Sequence, residues 1–293
     1  MRVRMSSCRA RTAVALATAT AAVTASAGLA PSPALAEDTT VHRYVALGDS
    51  YAAGSGVPNT VDDTCSRSDR NYPSLVDAAL TPGAHKDVTC GGATTEDLYS
   101  AQSPSVAPQL DALSADTDLV TLTIGGNDIG FGDIIVRCVT LGLVNPLGSP
   151  CKRSYTWTGQ DQLAATIDKT APKISGALDA IRARAPHAEI LITGYPAILP
   201  DDGSNCPFVV SIAKGDAPWL RDTHRRLNTM IAKQAAEHGA VYVDTYAKSI
   251  GHDVCKPAGT RWTEPLITDA AAPFHPNAAG EKAMADAVLA AAR

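Results

Sequence analysis

The stretch from Arg43 to Gly56, RYVALGDSYAAGSG, decides the fold of this chain. Its apolar run, Tyr44 to Leu47, has the character of a buried strand and stops abruptly at Gly48-Asp49-Ser50. Gly, Asp and Ser are ordinary turn residues, so a simple surface turn is one interpretation. A nucleophilic serine held on a sharp turn from strand to helix is the other. The rest of the chain decides between them.

Four further apolar segments have strand character, and segments of helical periodicity separate them. The strand segments are KDVTC, DLVTLTI, AEILITGYP and AVYVDTY. The helical ones are NYPSLVDAAL, a long segment over 160–185 broken around Pro172, PWLRDTHRRLNTMIAKQAAEHG closed by Gly239, and a last helix opened by Asn277. Strands rich in Val, Ile and Leu that alternate with helices predict an α/β fold, with a mainly parallel sheet covered on both faces.

The first 36 residues have the features of a secretory signal peptide. Arg2, Arg4, Arg9 and Arg11 form a basic start, an apolar stretch of small residues follows, and Ala34-Leu35-Ala36 is an A-x-A cleavage site. We therefore expect residues 1–36 to be cleaved and the protein to be secreted. No linker or internal repeat divides the remainder, which predicts one domain over residues 37–293.

The charge balance disfavours nucleic acids and anionic membranes as partners. The full chain has a formal net charge of −5, and the leader holds four of the 25 Lys and Arg but none of the 30 Asp and Glu. The mature chain is therefore more acidic still, which disfavours nucleic acids because phosphate binding needs a basic surface. We expect no integral membrane association, no metal, no cofactor and no obligate partner, and we expect a monomer.

Six cysteines follow the leader, an even number that suits an oxidising compartment. They allow 15 connectivities, among which the sequence alone does not choose. The local scheme pairs Cys65–Cys90, Cys138–Cys151 and Cys206–Cys255. A zinc site is the alternative, but no C-x-x-C or H-x-x-x-H spacing supports it.

Polar residues follow the predicted strands and lead into the last helix. The segments are Gly48-Asp49-Ser50, CGGATT at 90–95, IGGNDIG at 124–130 and FHPNAAGE at 274–281. Ligands of parallel α/β sheets bind beyond the carboxyl ends of the strands, so these segments are expected to form one site. Taken singly, each one is as consistent with an ordinary loop.

Together these segments supply the groups that ester hydrolysis requires. A serine hydroxyl becomes a good nucleophile when an imidazole takes its proton, and Ser50 and His275 are the candidates. The oxyanion of the tetrahedral intermediate needs fixed donors. The N–H groups of Ser50 and Gly92 and the side-chain amide of Asn127 are the candidate oxyanion hole.

On these residues the chain resembles the SGNH hydrolases, the GDSL esterase and lipase superfamily, and within it the secreted actinobacterial enzymes. The four blocks of that family fall on Ser50, Gly92, Asn127 and His275, and the similarity extends along essentially the whole mature chain. The resemblance implies a flavodoxin-like, three-layer α/β/α sandwich. It also implies sequential pairing of the six cysteines, which supports the local scheme.

The chain departs from the family pattern at the residue that orients the histidine. An aspartate usually lies three residues before the histidine, and Ala272 occupies that position here. We expect a Ser50–His275 dyad with the main-chain carbonyl of Ala272 holding the imidazole, as in some secreted members. Asp269 as a third member is the less favoured alternative.

The predicted function is hydrolysis of carboxylic esters through an acyl-enzyme on Ser50, with a lipid or medium-chain ester as substrate. The predicted rim segments VTLGLVNPLGSP, YPAILP and CPFVVSI are aliphatic, which suits an acyl chain. Only 5% of the chain is aromatic, whereas clefts that bind sugars usually contain aromatic side chains. Trp262 is the one aromatic residue expected near the pocket, and a position in the core is the alternative for it. Carbohydrate acetyl esters, phospholipids and a non-catalytic binding role are the alternatives. An α/β-hydrolase is disfavoured because Ala52 breaks the G-x-S-x-G pattern.

Overall fold

Five parallel strands form the central sheet, in the order β4-β1-β5-β6-β7. The structure is a computed structural model and describes residues 40–292. The strands of the sheet are β1 (Arg43–Gly48), β4 (Ala84–Asp87), β5 (Leu119–Thr123), β6 (Glu189–Thr193) and β7 (Val241–Val243), and a small antiparallel hairpin comprises β2 (Thr60–Asp62) and β3 (Arg67–Ser68). The predicted parallel sheet is confirmed.

The segments between the strands are largely helical, as α/β architecture requires. The α-helices are α1 (Ser50–Ala53), α2 (Tyr72–Leu80), α3 (Phe131–Val144), α4 (Pro150–Thr156), α5 (Gln162–Arg184), α6 (Pro207–Val210), α7 (Ala217–Glu237), α8 (Tyr246–Ser249) and α9 (Ala278–Ala291). Two 3₁₀ turns, Thr95–Leu98 and Gln109–Ala112, lie between β4 and β5.

The sheet carries an apolar layer on each face, because successive residues of a strand point to opposite sides. Val45 and Leu47 of β1 belong to a core cluster with α5 and α7. Tyr44 and Ala46, from the same strand, belong to a second cluster with α2 and α9. The chain therefore has the three-layer α/β/α arrangement that the resemblance implied.

Helix α5 is continuous through Pro172, so the predicted break there is wrong. A proline inside a helix removes one backbone hydrogen bond and costs about 3 kcal/mol. Against that cost, α5 buries apolar side chains both before and after the proline, including Ile167, Ile174 and Leu178. Each fully buried side chain of this kind contributes about 1.5–3 kcal/mol, so tertiary packing outweighs the local penalty.

Two predicted helix ends agree with the structure. The side chain of Asn277 accepts hydrogen bonds from the N–H groups of Ala279 and Gly280, which starts α9. Gly239 has a φ of +66° just beyond the end of α7, a backbone conformation that favours glycine.

The structure contains the disulfides Cys65–Cys90, Cys138–Cys151 and Cys206–Cys255, the pairs of the local scheme. The first brings the hairpin to the loop after β4, two residues from Gly92. The second joins α3 to α4. The third joins the start of α6 to the segment after α8.

The predicted leader, residues 1–36, lies outside the described residues. Residues 40–292 belong to one compact unit of the chain. Within that range, none of the helices is both long enough and apolar enough to cross a membrane.

Helix α3 has no counterpart in the sequence predictions. It buries Ile134 and Cys138, and Gly142 allows a close backbone contact at its last turn. A side chain at Gly142 would place its Cβ 2.1 Å from the carbonyl oxygen of Ser211. The glycine therefore allows the last turn of α3 to lie directly on the backbone of the segment after α6. This contact joins elements far apart in sequence and leaves no local signal.

This contact predicts opposite effects for two substitutions in the same helix. Gly142→Ala should lower the free energy of unfolding by about 1–3 kcal/mol, because a backbone atom blocks the new methyl group. Gly132→Ala is the matched control. It meets nothing within 4 Å and should raise stability by up to about 1 kcal/mol, because alanine is the better helix former. Chemical denaturation measures both, and stabilisation by Gly142→Ala would contradict the close packing.

Candidate active site

Ser50 is the first residue of α1, directly after the end of strand β1. The N–H of Asp49 donates to the carbonyl of Thr123 at the end of β5 (2.9 Å), which fixes the turn to the sheet. The side chain of Asp49 accepts the N–H of Tyr51 (3.0 Å) and starts the helix. Ser50 therefore lies at the carboxyl edge of the sheet, as the segment Gly48-Asp49-Ser50 predicted.

Ser50 and His275, 225 residues apart in sequence, contact each other directly. The Oγ of Ser50 lies 2.8 Å from the Nε2 of His275. The Nδ1 of His275 lies 2.8 Å from the carbonyl oxygen of Pro273, which can only accept a hydrogen bond. In the neutral ring Nδ1 therefore carries the proton, and Nε2 is free to accept the hydroxyl hydrogen of Ser50.

The expectation that the carbonyl of Ala272 holds the imidazole is wrong. That carbonyl instead accepts the backbone N–H of His275 (3.1 Å) and closes a turn over residues 272–275. Pro273 at the second position and a positive φ of 61° at Phe274 are features of a type II turn. Because the Ala272 carbonyl is hydrogen-bonded inside the turn, Nδ1 instead meets the carbonyl of the central peptide, which belongs to Pro273.

The unusual backbone of Phe274 is held from three directions. Its N–H donates to the carbonyl of Glu264 (2.9 Å), and its carbonyl accepts the hydroxyl of Tyr51 (2.5 Å). Its side chain is fully buried. A positive φ on a bulky residue costs about 1–3 kcal/mol and persists where the surroundings fix it. Tyr51, the residue after the nucleophile, is therefore bonded directly to the turn that carries the histidine.

Asp269 makes no hydrogen bond with His275 among residues 40–292. Its side chain is exposed, and both ring nitrogens of the histidine already have partners, Ser50 and Pro273. The imidazole instead packs beside two aromatic rings, Tyr51 at 4.7 Å and Phe131 at 6.1 Å between centroids.

The candidate oxyanion donors lie on the loops after β1, β4 and β5. The Nδ2 of Asn127 donates one hydrogen to the carbonyl of Ala93 (2.8 Å), and the amide has a second hydrogen. Gly92 has a φ of +77°, and no hydrogen bond within residues 40–292 uses its N–H as the donor. Ser50 contributes a first-turn N–H, which the helix itself leaves unpaired.

A buried carboxylate fixes the loops after β4 and β5 to each other. Asp128 accepts the N–H of Thr95 (2.9 Å) and its hydroxyl (2.5 Å), and Lys173 lies 3.3 Å from the same carboxylate. Together with the bond from Asn127 to Ala93, these contacts hold the segments that contain Gly92 and Asn127 in one arrangement.

Tyr195, predicted only as part of the rim segment YPAILP, joins the nucleophile turn to the Asn127 loop. Its hydroxyl donates to the Oδ2 of Asp49 (2.6 Å) and accepts the N–H of Gly126 (2.7 Å). All three groups are buried. Tyr195 follows strand β6 in the segment GYP, so the rule that placed the other site residues at strand ends also applies to it.

Burial changes the acidities of the groups in this site. It lowers the pKa of His275, an effect that the Pro273 carbonyl partly opposes, so the imidazole stays neutral to lower pH than a free histidine. It also raises the pKa of Asp49 to about 7, against the lowering effect of the Tyr195 hydroxyl. The pKa of Tyr195 is raised well above its usual value, again by burial, so its hydroxyl remains a donor.

An apolar pocket extends from Ser50 and Asn127. Its aliphatic walls come from α3, α7 and the segments 195–200 and 206–212, and comprise Ile134, Ile135, Ile198, Leu199, Ile212, Leu220 and Leu227. Two of the three predicted rim segments therefore line the pocket. The third, 139–150, and Trp262 do not line it; Trp262 instead stacks on His252 with ring centroids 3.8 Å apart.

No group of His, Cys, Asp and Glu side chains within residues 40–292 has an arrangement that could hold a metal ion. The titratable groups near Ser50 instead have protein partners: the Asp49 carboxylate holds Tyr51 and Tyr195, and Asp128 holds Thr95.

A parallel sheet with a Ser–His pair, a glycine N–H and an asparagine amide at its carboxyl edge defines the class of SGNH hydrolases. The model of the GDSL-like Lipase/Acylhydrolase family matches residues 46–283, and the chain belongs to that family. It is accordingly a carboxylic ester hydrolase.

Named relatives agree with this assignment. The chain is 47% identical to Lipase 2 of Streptomyces coelicolor over 258 residues, 86% of each protein. It is similar to the crystal structure of phospholipase A1 from Streptomyces albidoflavus, with a TM-score of 0.72 and 31% identity, over 86% of this chain and 100% of that one. It is also similar to the crystal structure of the extracellular lipase from Streptomyces rimosus, with a TM-score of 0.71 and 30% identity, over 86% of this chain and 100% of that one.

Tyr195→Phe tests the link between the two loops. It leaves the N–H of Gly126 and an oxygen of Asp49 buried without a partner, which should cost about 1–3 kcal/mol of unfolding free energy and lower activity as well. Tyr99→Phe is the control, because the Tyr99 side chain is 45% exposed, and it should change stability by less than about 0.5 kcal/mol. Equal urea-unfolding curves for the two variants would contradict the role of Tyr195.

Proposed function

We propose that this protein hydrolyses acyl esters through an acyl-enzyme on Ser50, with His275 as the general base. The observation that carries the proposal is the 2.8 Å contact between the Ser50 Oγ and the His275 Nε2, with the Pro273 carbonyl setting the tautomer. A hydroxyl within this distance of a neutral imidazole can lose its proton as it attacks a carbonyl carbon.

In the first half of the reaction Ser50 attacks the ester and its proton moves to Nε2 of His275. The carbonyl oxygen becomes an oxyanion, which the N–H groups of Ser50 and Gly92 and the amide of Asn127 stabilise. The imidazolium then donates its proton to the leaving alkoxide as the carbon–oxygen bond breaks. Water, deprotonated by the same imidazole, releases the acid from Ser50 in the second half.

The apolar pocket supports an aliphatic acyl group as the part of the substrate that binds beside Ser50. Lipid or medium-chain esters are therefore the leading substrates. Phospholipids are the second candidate, because one of the similar structures is a phospholipase A1. Carbohydrate acetyl esters and binding without turnover are the remaining alternatives, and the kinetics on a set of esters distinguish them from lipid hydrolysis.

We further infer that residues 1–36 are a cleaved signal peptide, that residues 37–293 act as one domain, and that the mature enzyme is a secreted monomer without a cofactor. The basic and apolar leader with its A-x-A site supports secretion. Three disulfides in the rest of the chain support an oxidising compartment.

Kinetics on p-nitrophenyl esters, with tributyrin, phosphatidylcholine and acetylated xylan beside them, test the proposal. Ser50→Ala should lower kcat by about 10⁴-fold or more, because the variant lacks the hydroxyl that attacks the ester. Asp269→Asn should remain within about twofold of the wild type, because its side chain is exposed and away from the imidazole. A loss in Asp269→Asn as large as in Ser50→Ala would refute the dyad.

The pH profile of kcat/KM provides an independent test of the histidine. Activity requires the neutral imidazole, and burial lowers its pKa, so the acid limb should have its midpoint below the ordinary histidine value of about 6.5. A carboxylate at Nδ1 would favour the charged ring and raise the midpoint instead. The Asp49 pKa of about 7 could also produce a limb in this range, so a midpoint at or above about 7 that persists in Asp49→Asn would contradict the carbonyl-held dyad.

A further inference from the structure

The apolar pocket follows the carboxyl edge of the sheet, from the strand that carries the nucleophile toward the far edge strand. Its lining begins at Ser50 after β1, continues with Asn127 after β5 and Ile198 after β6, and ends with Tyr246 after β7. Neighbouring strands lie about 4.8 Å apart, so the three steps from β1 to β7 span about 14 Å. That length suits an acyl chain of medium size lying across the strand ends.

Tyr246 lies between this pocket and a second cavity. It lines both, and the second cavity is further bounded by Arg225, Asn228, Thr229, Ala232, Tyr242 and Asp244. Tyr246 is 9% exposed and is the residue through which the two linings meet, so we expect a smaller side chain at this position to join them.

Contacts on several sides hold the Tyr246 ring in place. Its hydroxyl donates to the Oδ1 of Asp201 (2.9 Å), and Arg225 pairs with the same carboxylate. The guanidinium of Arg225 lies 5.6 Å from the centre of the Tyr246 ring, and His224 meets the ring edge-on at 5.3 Å. These contacts restrict the movement of the ring, so the end of the pocket has a defined position.

The backbone of Tyr246 is held as well. Asp244 accepts the N–H groups of Tyr246 (2.9 Å) and Ala247 (3.1 Å) and starts α8 directly after β7. Because β7 is paired with β6 in the sheet, the position of Tyr246 is tied to the same framework that positions Ser50.

The part of the pocket next to Tyr246 stays uncharged on the side of His224. Burial lowers the pKa of His224 to about 4, and its Nε2 lies 3.1 Å from the carbonyl of Tyr195. Burial raises the pKa of Tyr246 to about 12, so its hydroxyl remains a donor to Asp201. The His224 side of this end is therefore neutral near pH 7, whereas Arg221 also lines the pocket and the Arg225–Asp201 pair lies against the Tyr246 ring.

We propose that Tyr246 is the specificity-determining end wall of the acyl pocket and sets the longest acyl chain that the enzyme accepts. The inference rests on the proposed function, because it assumes that the acyl group of the substrate enters this pocket from Ser50. Chains that stop short of the ring bind fully, whereas longer ones must leave methylene groups in water or displace a fixed side chain.

The test is a profile of kcat/KM against acyl length, with p-nitrophenyl esters from two to sixteen carbons. Tyr246→Ala and Tyr246→Leu should move the optimum to longer chains and raise the ratio of long-chain to short-chain kcat/KM by about tenfold or more, since each methylene group in an apolar pocket has an effect of that order. Tyr246→Phe is the matched control. It keeps the ring and loses only the bond to Asp201, so its profile should match the wild type.

Two variants that enlarge the pocket are used in case one of them does not fold, and thermal melting shows which of them are folded. An unchanged profile in a folded Ala or Leu variant, or an equal shift in Tyr246→Phe, would overturn the inference while leaving the proposed function intact. A wild-type enzyme that hydrolyses none of the esters would instead refute the proposed function, and this inference with it.

Discussion

The hydrogen bond between the Pro273 carbonyl and Nδ1 of His275 is the interaction on which the active-site arrangement depends. It places the ring proton on Nδ1 and leaves Nε2 as the acceptor for Ser50. A carbonyl dipole supplies less stabilisation to the imidazolium than a carboxylate would. The partial burial of the imidazole beside the rings of Tyr51 and Phe131 lowers its pKa, which favours the neutral form of the histidine between turnovers.

Buried polar contacts, rather than any single element, align the loops at the carboxyl edge of the sheet. The Tyr195 hydroxyl is hydrogen-bonded to both Asp49 and Gly126. The Asp128 carboxylate accepts the hydroxyl of Thr95, and the Tyr51 hydroxyl donates to the carbonyl of Phe274. Each contact joins segments that follow different strands or lie at opposite ends of the chain. Such groups are costly to leave unpaired, so each contact favours the one arrangement in which all are satisfied.

The sequence predicted the features that carry a local or periodic signal. The five strands, the cap at Asn277 and the meeting of Ser50, Asn127 and His275 at one edge follow from apolar periodicity and from the rule for parallel sheets. The assignment of the orienting carbonyl to Ala272 rested on the resemblance to other secreted members. The structure differs because the positive φ of Phe274, held by contacts with Glu264 and Tyr51, directs the Pro273 carbonyl to the ring, and no local pattern reveals those contacts. Helix α3 does have a local signal, because Phe131, Ile134, Ile135 and Cys138 lie at helical spacing, but residues 139–150 were interpreted as an aliphatic rim segment instead.

The most direct measurement of the central claim is mass spectrometry of the intact protein and its peptides after reaction with a fluorophosphonate, which phosphonylates an activated serine. We expect one adduct per chain, located on Ser50, and slow or no labelling of the His275→Asn variant. An adduct on another serine, or labelling of His275→Asn as fast as the wild type, would contradict activation of Ser50 by this imidazole.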